Sequence, residues 1–143
     1  MQRKFIIETD GGSRGNPGPA AIGVVIRDEK GNRKEYSEYI GKATNNEAEY
    51  QAAIFALQKL KTICGEKKAK ECLVQLSTDS QLLVKQMNSQ YKVKKANIKS
   101  LFVELCNLKD CFGQVEFFLI PREKNKEADS LVNTELNRLN NKI

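Results

Sequence analysis

The chain has 143 residues, 40% of them hydrophobic and 29% charged, with only three prolines; this composition suits one globular domain with its own core and excludes a disordered or collagen-like chain. Lys and Arg number 24 against 18 Asp and Glu, so the net charge is +6 and a polyanionic partner is favoured, although ordinary solubility explains the same excess. No histidine is present, which excludes Ser-His and Cys-His nucleophile pairs and every Cys2His2 zinc site.

Cys64, Cys72, Cys106 and Cys111 form no CxxC pair and follow no signal peptide, so they read as reduced packing residues in the cytoplasm or an equivalent reducing space. The apolar runs fall far short of the ~20 residues a membrane span needs, and no membrane association is expected. With no repeat, linker or low-complexity tract, residues 1–143 are expected to form a single domain.

In chain order, Phe5-Ile6-Ile7 opens a strand that runs through Glu8-Thr9 to Asp10. The glycines and prolines from Gly11 to Pro19 predict a tight loop, which would leave Asp10 at the end of a strand. Taken alone, that Asp is equally a turn former. Ala21 to Arg27 and Arg33 to Ile40 read as two more strands around the turn Asp28–Asn32, giving three antiparallel strands.

Thr44-Asn45-Asn46-Glu47 has the form of a capping box opening a helix to about Lys61. At about 100° per residue, Ala52, Ala53, Ala56, Leu57 and Leu60 share a face with Glu49 at its middle, while Glu47 points nearly opposite. A carboxylate on an inward face is costly without a cation or a hydrogen-bond partner. Glu47 needs no such partner, because an acid in the first turn is favoured by the helix dipole.

Cys72 to Leu76 reads as a strand leading through Ser77-Thr78 to Asp79, and Gln81 to Met87 as a helix, with Asp79 and Ser80 both able to cap it. After Tyr91-Lys92-Val93-Lys94-Lys95, the residues Ile98, Leu101, Phe102, Leu105 and Leu108 mark another helix. Val115 to Ile120 is the last strand, Pro121 to Asn125 a loop, and Ala128, Val132, Leu136 and Leu139 the buried stripe of a final helix with Asp129 at its edge. The expected class is α/β: a mixed five-stranded sheet in the order βββαβαβα with helices packed on it.

Two strand ends and two helix faces thus deliver Asp10, Glu49, Asp79 and Asp129. Like charges ~4 Å apart repel by about 4 kcal/mol at an effective dielectric near 20, and divalent cations reverse that sign. Oxygen ligands without His or Cys select Mg2+ or Mn2+, and a shared set can hold two ions ~3.5–4 Å apart for phosphodiester hydrolysis.

Four pieces in order, Thr9–Pro19, Thr44–Tyr50, Leu76–Gln81 and Pro121–Glu123 with Asn125 and Ala128-Asp129, make the chain resemble a type 1 ribonuclease H from about Lys4 to Leu139. The resemblance implies endonucleolytic cutting of the RNA strand of RNA–DNA hybrids, leaving 5′-phosphate and 3′-hydroxyl ends. It assigns metal binding and catalysis to Asp10, Glu49, Asp79 and Asp129. It further implies that the Gly11 to Asn16 loop, through Gly11, Gly12, Ser13 and Asn16, reaches the minor groove with Asn45, Asn46 and Gln81, that Thr44 contacts a DNA phosphate, and that Arg122 contacts the substrate. Two features depart from the family pattern. Arg122-Glu123-Lys124 stand where many members carry a loop histidine, and the basic insertion between helices is reduced to Tyr91–Lys95 plus Lys99, which either touches the DNA strand or is a solvated loop. A monomer without a separate hybrid-binding domain is expected. The alternatives are a non-catalytic hybrid- or RNA-binding module and another nuclease of the same fold.

Overall fold

The computed structural model describes residues 2–140; Met1 and residues 141–143, the ends of the expected domain, lie outside the described residues. The strands are β1 (Arg3–Ser13), β2 (Gly18–Asp28), β3 (Arg33–Ala43), β4 (Cys72–Thr78) and β5 (Gln114–Leu119). The helices are α1 (Asn45–Cys64), the one-turn α2 (Glu66–Ala69), α3 (Gln81–Met87), α4 (Ala96–Lys109) and α5 (Lys126–Asn140), with a 3-10 turn at Arg122–Lys124. The sheet order is β3-β2-β1-β4-β5, antiparallel from β1 to β3 and parallel from β1 through β4 to β5.

The mixed five-stranded sheet is the expected one. Both helices expected between β4 and β5 are present as α3 and α4, which the shorthand order βββαβαβα counts as one; the elements not expected are the one-turn α2 after α1 and the 3-10 turn. Leu139, expected on the buried stripe of α5, is only half-buried near the helix end. A larger difference concerns the Gly-rich stretch. β1 does not stop at Asp10 but continues through Gly11, Gly12 and Ser13, which pair with Ile22, Ala21 and Ala20 of β2. Glycine weakens a strand without forbidding one, and the partner strand supplies the ladder. What ends near Asp10 is the pairing with β4, whose last register pair is Glu8 with Ser77.

The main core lies between one sheet face and α1 with α4: Ile7, Leu57, Leu60, Leu76 and Leu105 are fully buried there. Ala52, Ala53 and Ala56 are also fully buried, and these small side chains let α1 lie close on the sheet. Cys64 and Cys72 belong to this core with thiols 3.6 Å apart, and burial pushes the Cys64 thiol up to about 12, which suits a packing residue. On the opposite face, Val132 and Leu136 of α5 pack on Ala21.

Two glycines set the depth at which the helices meet the sheet. A Cβ on Gly11 would stand 2.3 Å from the carbonyl of Ala48, and one on Gly23 would stand 2.3 Å from the carbonyl oxygen of Ala128. No side chain fits at either place. Gly23 is the register partner of Asp10, and Gly11 follows it, so both helices touch the sheet beside one residue. Ala48 precedes Glu49 and Ala128 precedes Asp129; the two close contacts therefore bring those acids toward Asp10 from opposite faces.

Candidate active site

Asp10 and Asp79 occupy equivalent places on parallel neighbours, each two residues beyond the last β1–β4 pair. Asp79 directly follows β4, as the sequence predicts, and the capping is done by Ser80, whose Oγ accepts from the Leu83 N–H at 3.3 Å. Alternation along β1 puts Asp10 on the same face as Gly12, which faces Val132 of α5. Glu49 comes from the other face. They meet just beyond the last paired residues of β1 and β4.

The helix-face argument separates Glu47 from Glu49 in the structure. The Glu47 carboxylate accepts from the Thr44 N–H at 2.8 Å while Thr44 Oγ1 accepts from the Glu47 N–H at 3.1 Å, a complete capping box. These bonds hold the Glu47 carboxyl below its ordinary range. Glu49 is instead only 9% exposed, and Thr78 Oγ1 donates to its Oε2 at 3.2 Å.

Carboxylate oxygens of Asp10, Glu49 and Asp79 lie within 4.8 Å of one another. Burial, then the neighbouring negative charge of Asp79, pushes the Asp10 carboxyl up to about 7. Glu49 is raised as well, first by burial and then by the charges of Asp10 and Asp79. Asp79 is raised by burial despite Arg122, whose Nε stands 4.0 Å from its Oδ2 on a side chain 83% exposed. Such an open pair is worth little. Asp129 lines the same cleft and its charge adds to the rise at Asp10, but it stands outside the close triad and receives a 3.4 Å hydrogen bond from Asn133 Nδ2. An all-carboxylate cluster that holds protons too tightly is the donor set a hard divalent cation fits, since the ion replaces the protons and removes the repulsion.

The cleft around these acids encloses about 840 Å³ and is also lined by Gly11, Gly12, Ser13, Asn45, Gln81 and Arg122. Asn16, Thr44 and Asn46 do not line it. Asn16 Oδ1 accepts from the Asn45 N–H at 3.0 Å, while Asn45 Oδ1 accepts from the Ser13 N–H at 2.9 Å; the two asparagines tie the β1–β2 turn to the start of α1. Thr44 is the helix cap and Asn46 is half-buried in the first turn. Arg14, inside the Gly11 to Asn16 loop expected at the minor groove, also lines the cleft, as does Asn133, which the sequence reading does not name. Asn133 follows Asp129 by one helical turn, a spacing that could have marked it.

A reverse transcriptase-like family profile matches residues 8–135. The structure resembles LC11-RNase H1, solved in complex with an RNA/DNA hybrid, at 48% identity and a TM-score of 0.88, covering 94% of this chain and 98% of that one. The chain belongs to the type 1 ribonuclease H family. Among curated proteins, the ribonuclease HI of Halobacterium salinarum is 36% identical over 128 residues, covering 89% of this chain and 61% of its own length. A bifunctional protein of Mycobacterium tuberculosis is 38% identical over 132 residues, 91% of this chain and 35% of its own length. The chain thus spans about a third of that mycobacterial relative. Within this ribonuclease H fold the cleft opens at the carboxyl ends of the parallel strands, where crevices of open α/β sheets form.

Proposed function

We propose that the chain is a metal-dependent endonuclease that hydrolyses the RNA strand of RNA–DNA hybrids, leaving 5′-phosphate and 3′-hydroxyl ends. The observation that carries this reading is the convergence of Asp10, Glu49 and Asp79 oxygens within 4.8 Å, in a cleft open to a duplex. Their raised proton affinities support it, because such a cluster is stabilised by cations and serves no purpose in a passive binder.

Asp10, Glu49 and Asp79 would hold Mg2+ or Mn2+, and Asp129, which lines the same cleft, would complete the set for a second ion. When bound, two such ions supply an activated water and neutralise charge at the phosphodiester and its leaving oxygen. Thr78, donating to Glu49 and itself accepting from the Ser80 N–H at 3.1 Å, fixes the orientation of the Glu49 carboxylate. Asn45 commits its carbonyl oxygen to Ser13 and keeps its Nδ2 donors for a base edge or a 2′-hydroxyl. Gln81 and Arg122, both exposed on the rim, would reach the minor groove and a phosphate. Gly11, Gly12 and Ser13 offer a low wall over which the duplex can approach, and Asn16, Thr44 and Asn46 act from its edge. A single domain acting as a monomer in the cytoplasm completes the reading; among the described residues, no helix is long and apolar enough to cross a membrane.

The experiment is cleavage of a hybrid labelled on its RNA strand, in Mg2+, in Mn2+ and in chelator. Cutting in either metal with 3′-hydroxyl products is expected. Binding without cutting in both metals would make the chain a recognition module, and equal cutting of DNA–DNA duplexes would make it a different nuclease on the same fold.

A further inference from the structure

One more buried side chain bonds β1 just beyond its pairing with β4, and the chemistry above leaves it unused. Asn125 is fully buried although its neighbours Lys124 and Lys126 are exposed. Its Nδ2 donates to the carbonyl oxygen of Thr9 at 2.8 Å. Thr9 is the residue before Asp10 and the first on β1 beyond the register shared with β4. The asparagine amide therefore satisfies a β1 carbonyl that lies beyond the β1–β4 pairing. Its own backbone carbonyl accepts from the Asp129 N–H at 3.1 Å, and its N–H donates to the Arg122 carbonyl at 3.0 Å. One residue thus joins the backbone next to Asp10 to the backbone of Asp129.

The arrangement is not optimal for stability alone. Asn125 Oδ1 and Thr9 Oγ1 are both buried without a partner, and an unmet buried acceptor is costly. Other ties of α5 to the sheet are the close approach of the Ala128 carbonyl to Gly23, apolar packing of Val132 and Leu136 on Ala21, hydrogen bonds from Arg14 to Asn137 at 2.6 Å and from Ser37 to Glu135 at 3.2 Å, and pairing of half-exposed Glu127 with Arg27 and Arg33. Gly23 fixes how deeply α5 settles, and the Asn125 bond, made by a fully buried side chain at 2.8 Å, adds a directional constraint that apolar packing and exposed ion pairs lack.

We infer that Asn125 is a positioning residue that sets the separation of Asp10 and Asp129 by locking the start of α5 to β1. This rests on the metal-dependent reading of the site. Mg2+ binding to the hybrid-free protein is measured by calorimetry for the unaltered chain, Asn125→Ala and Asn125→Asp, alongside circular dichroism and steady-state cleavage. Asp keeps the size of Asn but lacks its N–H donors, so it tests the bond even where Ala perturbs folding. Both variants are expected to bind Mg2+ roughly tenfold or more weakly. In both, kcat falls, the KM for hybrid stays within about threefold, and excess Mg2+ restores part of kcat, as a merely structural role would not require. Wild-type Mg2+ affinity in either folded variant overturns the inference alone. Failure of the unaltered chain to bind Mg2+ or Mn2+ removes the metal-dependent reading and this inference with it.

Discussion

Asp10→Asn tests the electrostatic argument without any substrate. Folding raises the Asp10 carboxyl from 3.8 to about 7, so the folded protein binds that proton more tightly than the unfolded chain. The sign follows directly: this contribution to stability is fully present below about pH 4 and is lost as pH rises through about 7. At 1.36 kcal/mol per unit, the cost carried by metal-free protein at pH 8 has an upper bound of about 4 kcal/mol, and sharing of protons with Glu49 and Asp79 lowers it. Asparagine keeps the shape and removes the charge. For a protein of this size, 1 to 4 kcal/mol corresponds to roughly 3–12 °C in Tm. Thermal unfolding in chelator should therefore show Asp10→Asn above the unaltered chain at pH 8, with the gap shrinking toward pH 4.5. Millimolar Mg2+ should raise the unaltered chain and leave the variant nearly unmoved, because only the former gains binding energy on folding. A Tm difference independent of pH, or a variant less stable at pH 8, would refute the cluster's repulsion, and with it the reason for expecting cations there.

The two glutamates of α1 should part company: Glu49→Gln loses cleavage by at least about a hundredfold, while Glu47→Gln keeps it and loses only about 0.5–1 kcal/mol of helix capping in urea unfolding. Gly11→Ala forces a Cβ into the Ala48 carbonyl, so urea titration should show a loss of about 3 kcal/mol together with weaker Mg2+ binding. Replacing exposed Lys92, Lys94 and Lys99 together by Ala lowers the slope of log hybrid affinity against log salt by roughly 2 to 3 if all three reach phosphates; an unchanged slope assigns them to solvent. Under native conditions a disulfide thiol reagent should label half-buried Cys106 and Cys111 well before Cys64 and Cys72, as counted by absorbance of the released thiolate.

Local patterning carries much of this protein. The capping box at Thr44, the inward position of Glu49, the end of β4 before Asp79 and the helical spacing through Ile98 and Leu105 are properties of neighbours within a turn or two, and helical or strand periodicity exposes them directly. Composition alone removes Ser-His and Cys-His nucleophile pairs and Cys2His2 zinc sites from consideration. The continuation of β1 through Gly11–Ser13 is different, because a glycine-rich segment has no strand preference of its own and takes its ladder from β2. Nor does spacing reveal that the mutually close carboxylates are Asp10, Glu49 and Asp79 with Asp129 beside Asp10, or that Asn125, in a loop flanked by lysines, is buried against Thr9. Those facts depend on how deeply α1 and α5 settle over Gly11 and Gly23, and on where β4 stops beside β1. The chain order therefore determines which residues carry charge and which faces they occupy. Only the packed structure decides the distances between them, because separations of a few ångströms between remote residues are set by backbone contacts that no local pattern records.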